Sequence, residues 1–444
     1  MTLRFGTDGV RGVANVDLTP ELVVALGRAA ARVLGGSRFV VGRDPRLSGP
    51  LLESALAAGL AAEGVRVELL GVLPTPAVAR VSAAEHVCGA VISASHNPFP
   101  DNGIKFFLAG GRKLTDDVEE RLESELDKLV HRGVDGAGLQ GVSVGRIVAG
   151  PEHHDRYIEA IVSILDGRRL DGLRLVVDCA NGAASEVAAE ALRRLGADVT
   201  VLNDRPDGTN INDGCGSTDP AELQRTVVEV AADAGLAFDG DADRVLAVDA
   251  RGDLVDGDQI VAICAVDLYD RHRLADNTVV VTVMTNLGFR LAMRDRGIKV
   301  VETAVGDRYV LDALDNGGWS LGGEQSGHVI FRELATTGDG LLTGVQLLDV
   351  VMRTGRSLAE LAAVMRRLPQ VLRNVRVAGV GIDIDGALGD EVDAAERELG
   401  DSGRVLVRAS GTEPLVRVMV EAATAEQAET VAQGLVAAVK RLGP

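Results

Sequence analysis

Positive charge, aromatic side chains and paired cysteines are all scarce in this chain. Lysine and arginine number 46 against 65 acidic residues, a formal net charge of −19. Such a surface repels duplex nucleic acid unless a strong basic patch interrupts it, and the sequence has none. An anionic small molecule stays possible, because local arginines and a metal ion can override the overall field. Aromatics are 3% of the residues, with a single Trp, so the cores must rest on Val, Leu, Ala and Ile. The four cysteines, Cys88, Cys179, Cys215 and Cys264, form no CxxC. That spacing argues against a disulfide framework or a zinc site and suggests buried free thiols in a reducing cytosol. No apolar run is long enough to cross a bilayer, and "MTLRFGTDGVRG" lacks the basic and apolar regions of a signal peptide. The expectation is a soluble cytoplasmic protein with no membrane partner.

What is abundant is glycine, 53 residues in 444. The glycines are not periodic. They cluster after apolar runs, as expected where strands end in tight turns. Short β-branched runs recur at 38–42, 64–71, 89–94, 173–182, 196–203, 236–244, 277–284, 298–306 and 318–327. Between them lie Ala- and Leu-rich stretches with helical spacing, such as 20–34, 50–63, 184–195 and 220–234. Strands alternating with helices imply βαβ units and largely parallel sheets. The length exceeds one hydrophobic core. The pattern partly restarts at "LRLVVDCANG" and "NTVVVTVMTNLG", and its texture changes after Pro369. The expected fold class is α/β: three similar mixed α/β domains plus a smaller C-terminal α+β domain, over 1–150, 151–255, 256–368 and 369–444.

Four loops need a chemical reason. In "SASHNP" (93–98), Ser95 follows an apolar run and precedes His-Asn-Pro. Proline stiffens a loop at a strand's C-terminal end, where α/β proteins place ligands. In "DGDADR" (239–244), Asp239, Asp241 and Asp243 alternate. Three carboxylates in one turn repel unless a cation lies among them. Hard oxygen donors suit Mg²⁺, while a calcium EF-hand would need a longer loop closed by a bidentate Glu. Alternation in an extended loop would set the oxygens on one side, with Arg244 holding an anion beside the metal. In "GGEQSGHVIF" (322–331), Glu324 and Ser326 could bind hydroxyls or an amine, and His328 could exchange protons; a polar turn with a satisfied histidine is the plainer alternative. In "RASGTEPLVR" (408–417), Arg408 and Arg417 flank Ser-Gly-Thr, a phosphate cradle unlike a Walker A loop. A serine nucleophile, a divalent-cation site, a polyol- or amine-reading loop and a phosphate clamp together suit phosphoryl movement on a sugar phosphate. A metal-dependent phosphatase would have no use for the clamp, and a non-catalytic sensor would have no use for Ser95.

"FGTDGVRG" (5–12), "SASHNP", "DGDADR", "GEQSGH" (323–328) and "RASGTEP" (408–414) stand in the order seen in the α-D-phosphohexomutases, and the chain resembles that family along its whole length. "PDGTNINDGCGSTDP" (206–220) and the Gln of "GEQSGH" resemble the bacterial branch acting on hexosamine phosphates, which supplies cell-wall precursors. A glucose- or mannose-phosphate branch is the nearest alternative. The resemblance implies four domains around a central cleft. Ser95 would carry the phosphate and, with Asp239, Asp241 and Asp243, bind one Mg²⁺. Glu324 and Ser326 would bind the sugar. Arg408, Ser410, Gly411, Thr412 and Arg417 would hold the phosphate not being transferred. Arg11, His96, Lys105, Arg244 and His328 would lie near the moving phosphate or supply acid/base catalysis. A hexosamine 1,6-bisphosphate would be intermediate and activator, the partner a small sugar phosphate, and the protein a monomer or homodimer.

Overall fold

A computed structural model describes residues 5–6, 9–132, 139–150, 152–377, 384–409 and 415–441. The chain divides into two compact units, Met1–Val283 with Lys299–Ala363, and Met284–Ile298 with Val364–Pro444.

The first unit holds three sheets of similar plan. Sheet one contains β1 (Val10–Val13), β2 (Arg38–Arg43), β3 (Arg66–Val72), β4 (Cys88–Ile92), β5 (Asp101–Leu108), β6 (Arg112–Lys113) and β7 (Ile147–Ala149), in the order β1-β5-β4-β2-β3-β7 with β6 beside β5. Sheet two contains β8 (Arg174–Asp178), β9 (Asp198–Leu202), β10 (Ala234–Phe238), β11 (Val245–Asp249) and β12 (Leu254–Val255), ordered β12-β11-β10-β8-β9. Sheet three contains β13 (Thr278–Thr282), β14 (Lys299–Thr303), β15 (Leu321–Gly323) and β16 (Val329–Phe331), ordered β14-β13-β15-β16.

Each sheet has a parallel core with an antiparallel edge. The strands β4, β2, β3 and β7 run parallel, while β5 turns back on β4. Likewise β11 turns back on β10 and β16 on β15. The expected mixed α/β plan is therefore present, with the parallel strands adjacent in each sheet and the antiparallel pairings toward one edge. The reversals matter because three of the four motif loops occupy them: 93–100 between β4 and β5, 239–244 between β10 and β11, and 324–328 between β15 and β16. A parallel strand's C-terminal end faces the ligand side of an α/β sheet. A tight return there gathers the turns' side chains at that end of the sheets, with no crossover helix between them.

The parallel strands form because their residues can be covered on both faces. Every residue of β4 (CGAVI), β10 (AGLAF) and β13 (TVVVT) is buried. Helices begin at standard signals: Thr19 caps Pro20–Leu34 through Leu22 N, and Asp256 with Gln259 forms a capping box on Gly257–Asp270. The first core is built from aliphatics such as Val10, Leu26, Val41, Leu56 and Ile92, with Phe39 and Phe106. All four cysteines are buried and free. No helix among the described residues is long and apolar enough to cross a membrane.

The second unit carries the antiparallel sheet β17 (Gln370–Arg376), β18 (Arg404–Ala409) and β19 (Leu415–Glu421), ordered β17-β19-β18. The helix Ala425–Arg441 buries Ala432, Leu435 and Val439 in the same core as Val416, Val418 and Val420. The helix Leu287–Asp295, which follows β13 in sequence, belongs to this unit. Asn286 Nδ2 donates to Glu421 Oε1 (2.9 Å) and to Leu368 O (3.0 Å), and Arg404 pairs with Glu421 at 2.9 Å. A buried carboxylate ringed by these donors ties segment 284–298 to the sheet, so the compact units do not follow four continuous stretches of sequence.

Candidate active site

Ser95 lies three residues beyond Ile92, the end of the buried strand β4, with φ +52°, a left-handed backbone unusual for serine. The side chain is fully buried. Its Oγ donates to Asp239 Oδ2 at 2.6 Å and lies 3.4 Å from His96 Nδ1. Asp239, Asp241 and Asp243 each bring a carboxylate oxygen within 4.8 Å of the others, and all three are buried. They converge through a turn, which corrects the expected extended loop. Ala242 adopts φ +56° and its N–H donates to Asp239 O at 3.0 Å, folding the chain so that alternate carboxylates meet.

The turn is pinned from several elements. Thr75 Oγ1, at the start of the helix Thr75–Glu85, donates to Asp241 Oδ2 (2.7 Å). Lys105, buried on β5, reaches Asp241 Oδ2 at 2.9 Å and Asp243 Oδ2 at 3.6 Å. His328 Nδ1 lies 3.6 Å from Asp243 Oδ2 and its Nε2 3.3 Å from Asp307 Oδ2. Gly240 has no room for a side chain: a Cβ would stand 2.6 Å from Ser95 O and 2.8 Å from Asn212 Nδ2.

The electrostatics are polarised. Burial, then Asp243 and Asp241, push Asp239 well above the ordinary carboxylate range. Burial also acts to raise Asp243, but Lys105, His328 and Arg244 outweigh it and hold that carboxyl low. Burial, then Arg244 and Arg11, lower His96 to about 4. Burial disfavours a charged His328, yet Asp307 and Asp243 win and raise its pKa. Opposing that rise, Gly338 N donates to His328 Nε2 at 3.0 Å, which favours the neutral ring with its proton at Nδ1, toward Asp243. The hydrogen bond requires a lone pair at Nε2, so we assign the neutral tautomer.

A cleft of about 450 Å³ opens above this cluster, lined among others by Arg11, His96, Asp243, Arg244, Glu324 and His328. Glu324 is oriented by Gly306 N, which donates to its Oε1 at 3.1 Å. Ser95 and Lys105 lie buried behind the cleft wall. Ser326 does not line it; its Oγ is buried without a hydrogen-bond partner among the described residues. In the second unit, Arg408 and Arg417 are directly opposed across the β18–β19 ladder. Like charges at opposed positions destabilise a sheet unless an anion joins them. Ser410, Gly411 and Thr412 lie outside the described residues.

The sequence reading missed the scaffold of the serine loop. Arg46 is fully buried. Its guanidinium donates to Asp44 Oδ2 (2.9 Å), Ser95 O (2.9 Å), Asn97 O (2.8 Å), Pro98 O (2.5 Å) and Asp101 O (3.0 Å). Asp44 also accepts from Ser93 Oγ (2.6 Å), which accepts from Ser95 N (2.9 Å). Asn212 Nδ2 donates to Ser95 O and Asn97 O. The available signal was "GRDPRLSG" (42–49), charges and a proline directly after an apolar strand.

A buried serine against three carboxylates, beneath a cleft lined by Arg11 and Arg244 on three α/β sheets, is the arrangement expected of a phosphohexomutase. Profiles of the phosphoglucomutase/phosphomannomutase family match in chain order: alpha/beta/alpha domain I at 2–132, domain II at 155–252, domain III at 256–368 and the C-terminal domain at 351–438. The chain belongs to the phosphoglucomutase/phosphomannomutase family. Among its relatives, the phosphoglucosamine mutase of Thermobifida fusca is 56% identical, over 99% of this chain and 98% of the relative. That of Acidothermus cellulolyticus is 58% identical, over 99% and 96%. A phosphoglucomutase/phosphomannomutase family protein from Burkholderia thailandensis superposes with a TM-score of 0.81 at 27% identity, covering 99% of this chain and 97% of that one. N-acetylphosphoglucosamine mutase of Aspergillus fumigatus, solved with GlcNAc-6P and magnesium, shares the fold at TM-score 0.73 and 21% identity, covering 100% and 96%.

Proposed function

We propose that this chain is a phosphoglucosamine mutase, an isomerase that interconverts glucosamine 6-phosphate and glucosamine 1-phosphate through a phosphoserine and a 1,6-bisphosphate. Full-length identity of 56% and 58% to relatives of that name supports the substrate. The observation that carries the chemistry is Ser95 Oγ 2.6 Å from Asp239 in a buried group of three carboxylates.

Phospho-Ser95 passes its phosphoryl group to the free hydroxyl of the bound sugar phosphate. The Oγ–P bond breaks as the sugar O–P bond forms. His96, whose Nδ1 lies 3.4 Å from Ser95 Oγ, relays the hydroxyl proton to the departing serine oxygen, and carries it the other way in the second half-reaction. The bisphosphate turns over, Ser95 takes back the other phosphoryl group, and the isomer leaves. Arg11 and Arg244 hold the moving phosphoryl oxygens, and Glu324, which lines the cleft, binds sugar substituents. Lys105 balances the charge of Asp241 and Asp243, and the neutral His328 turns its Nδ1–H toward Asp243. Arg408 and Arg417, with Ser410, Gly411 and Thr412, clamp the resident phosphate; their opposed guanidiniums suit an anion shared between them.

The residues fit Mg²⁺. Asp241 Oδ1 and Asp243 Oδ1 are buried with no hydrogen-bond donor among the described residues, and oxygen donors of this kind match a hard divalent ion. Asp239, Asp241, Asp243 and phosphorylated Ser95 would hold it. Bound there, the ion neutralises charge on the transferring phosphoryl group. The protein works in the cytoplasm on a small sugar phosphate, as a monomer or homodimer.

The test is ³¹P NMR with glucosamine 6-phosphate, Mg²⁺ and a trace of hexose bisphosphate, beside glucose 6-phosphate. A 1-phosphate signal growing mainly with the amino sugar, and lost in Ser95→Ala with an unchanged melting curve, is the expected result. Growth only with glucose 6-phosphate would move the substrate to the neighbouring branch, and inorganic phosphate alone would make the protein a phosphatase.

A further inference from the structure

A second cavity, of about 300 Å³, shares no lining residue with the cleft. Its size falls within the roughly 300–1,000 Å³ usual for small-molecule sites. Four arginines line it, Arg80, Arg168, Arg271 and Arg273, against two acids, Asp166 and Glu333. On a chain of net charge −19 this is a local reversal of sign. Behind the wall, Asp267, Asp349 and Arg353 add two negative charges and one positive, and the buried Asp339, which feels Arg80, adds a third negative, so five arginines face five carboxylates in a chain that is otherwise strongly acidic.

Three of the lining guanidiniums are already fixed. Arg168 grips the buried Asp349 at 2.9 and 3.1 Å, Arg271 meets Asp267 at 3.3 Å, and Arg273 meets Glu333 at 3.0 Å. A guanidinium oriented in this way keeps further N–H donors and has less rotamer freedom to lose on binding. Arg80 differs: it is exposed and makes no salt bridge with a described residue. The arrangement has three preset donors and one exposed cation, outside any ion pair with a described residue though within the field of the buried Asp339, around a concave space.

The cavity also adjoins two helices that hold the aspartate turn. Arg80 lies on Thr75–Glu85, whose Thr75 bonds Asp241 through Oγ1 at 2.7 Å and through N–H to the carbonyl at 3.0 Å. Gln346 lines the cavity from Gly340–Thr354, whose Gly340 N–H donates to Ala242 O at 3.0 Å. A ligand here touches the two helices that the metal-site loop leans on.

We propose that this cavity is a second anion site, taking a small phosphate-class oxyanion of two or more charges, separate from the catalytic cleft. The probe is inorganic pyrophosphate, titrated calorimetrically into metal-free, full-length protein at low salt. Wild type should show at least two binding events, one from this cavity and the others from the Arg11 cleft and the Arg408–Arg417 clamp. Arg80→Gln, which breaks no ion pair with a described residue and should leave the melting curve unchanged, should weaken one event by about tenfold or more. Arg11→Gln should weaken another and leave the Arg80-dependent one intact. A single event, or several events that Arg80→Gln leaves alone, would overturn the proposal. So would loss of the Arg80-dependent event in Arg11→Gln.

Discussion

Replacing Arg46 should separate the positioning of Ser95 from its chemistry. Arg46 and Asp44 are a fully buried ion pair. All five guanidinium hydrogens are engaged, one with Asp44 and four with the carbonyls of Ser95, Asn97, Pro98 and Asp101. Removing one partner of a buried pair costs about 3–5 kcal/mol. Each carbonyl left without its donor adds about 1–3 kcal/mol. Three of the four carbonyls keep another donor, Asn212 for Ser95 and Asn97 and the Asp101 N–H for Pro98, so for Arg46→Met the sum is roughly 4–8 kcal/mol, a large part of a domain's stability of about 5–15 kcal/mol. The native loop cannot absorb that. It lets go and admits water, and the buried Asp44, already raised by burial against the pull of Arg46 and Ser93, takes up a proton.

Arg46→Lys is therefore the sharper variant. Its ammonium can keep a charge opposite Asp44, but a single nitrogen with three donors cannot reach four carbonyls as the planar fork does. With about two charged hydrogen bonds lost, destabilisation should be about 3–6 kcal/mol. Ser95 itself is untouched, as are the cleft arginines. The expected signature is a folded protein with a lower melting temperature, kcat down about 100-fold and KM for glucosamine 6-phosphate within about threefold, since misplacing a reacting atom by about 1 Å has effects of that size. The assays are a thermal melt and a coupled mutase assay of the bisphosphate-activated enzyme. Arg46→Lys with kcat within twofold of wild type would refute the reasoning, because the loop would then hold its geometry without the fork.

Three further predictions concern the same unit. Asp241→Asn keeps the shape but removes a charge from the buried group, so the Mg²⁺ concentration for half-maximal activity should rise by about tenfold or more; an unchanged Mg²⁺ titration would rule out Asp241 as a ligand. Gly240→Ala places a Cβ 2.6 Å from Ser95 O, so it should destabilise by about 1–3 kcal/mol and reduce kcat, and wild-type values for both would contradict the tight approach. For Glu68, burial raises the pKa, but hydrogen bonds from His153 (2.9 Å) and Arg38 (2.5 Å) outweigh it and leave it lowered. A lowered folded-state pKa means that the stabilisation is complete above the unfolded carboxylate pKa of about 4.3 and is lost as pH falls through the folded value. Between about pH 5 and 3, wild type should thus lose more stability than Glu68→Gln in urea titrations, and parallel pH profiles would show that the pair contributes nothing.

What the sequence revealed and what it hid divide along a physical line. The strands β4, β10 and β13 were legible because burial on both faces demands unbroken apolar runs. The aspartate triad was legible because a cation site needs several carboxylates, and a single turn can supply them at alternate positions. The strand β5 was not. Its residues DNGIKFFL include Asn102 and Lys105, both buried, and a buried lysine reads as loop until its partners are known. Those partners, Asp241 and Asp243, lie 136 and 138 positions away. Arg46 was hidden for a deeper reason. Four of its five side-chain acceptors are backbone carbonyls 49 to 55 residues distant, and every residue has a carbonyl, so its loop partners leave no mark in the sequence. Groups that do chemistry must be particular side chains, and they announce themselves by type and spacing. The groups that aim them bond largely to the main chain, which any sequence provides. The serine loop shows both at once: Ser95 and His96 could be read from six letters, whereas the left-handed backbone at Ser95 depends on Arg46, Asp44 and Asn212, whose roles emerge only from the folded chain.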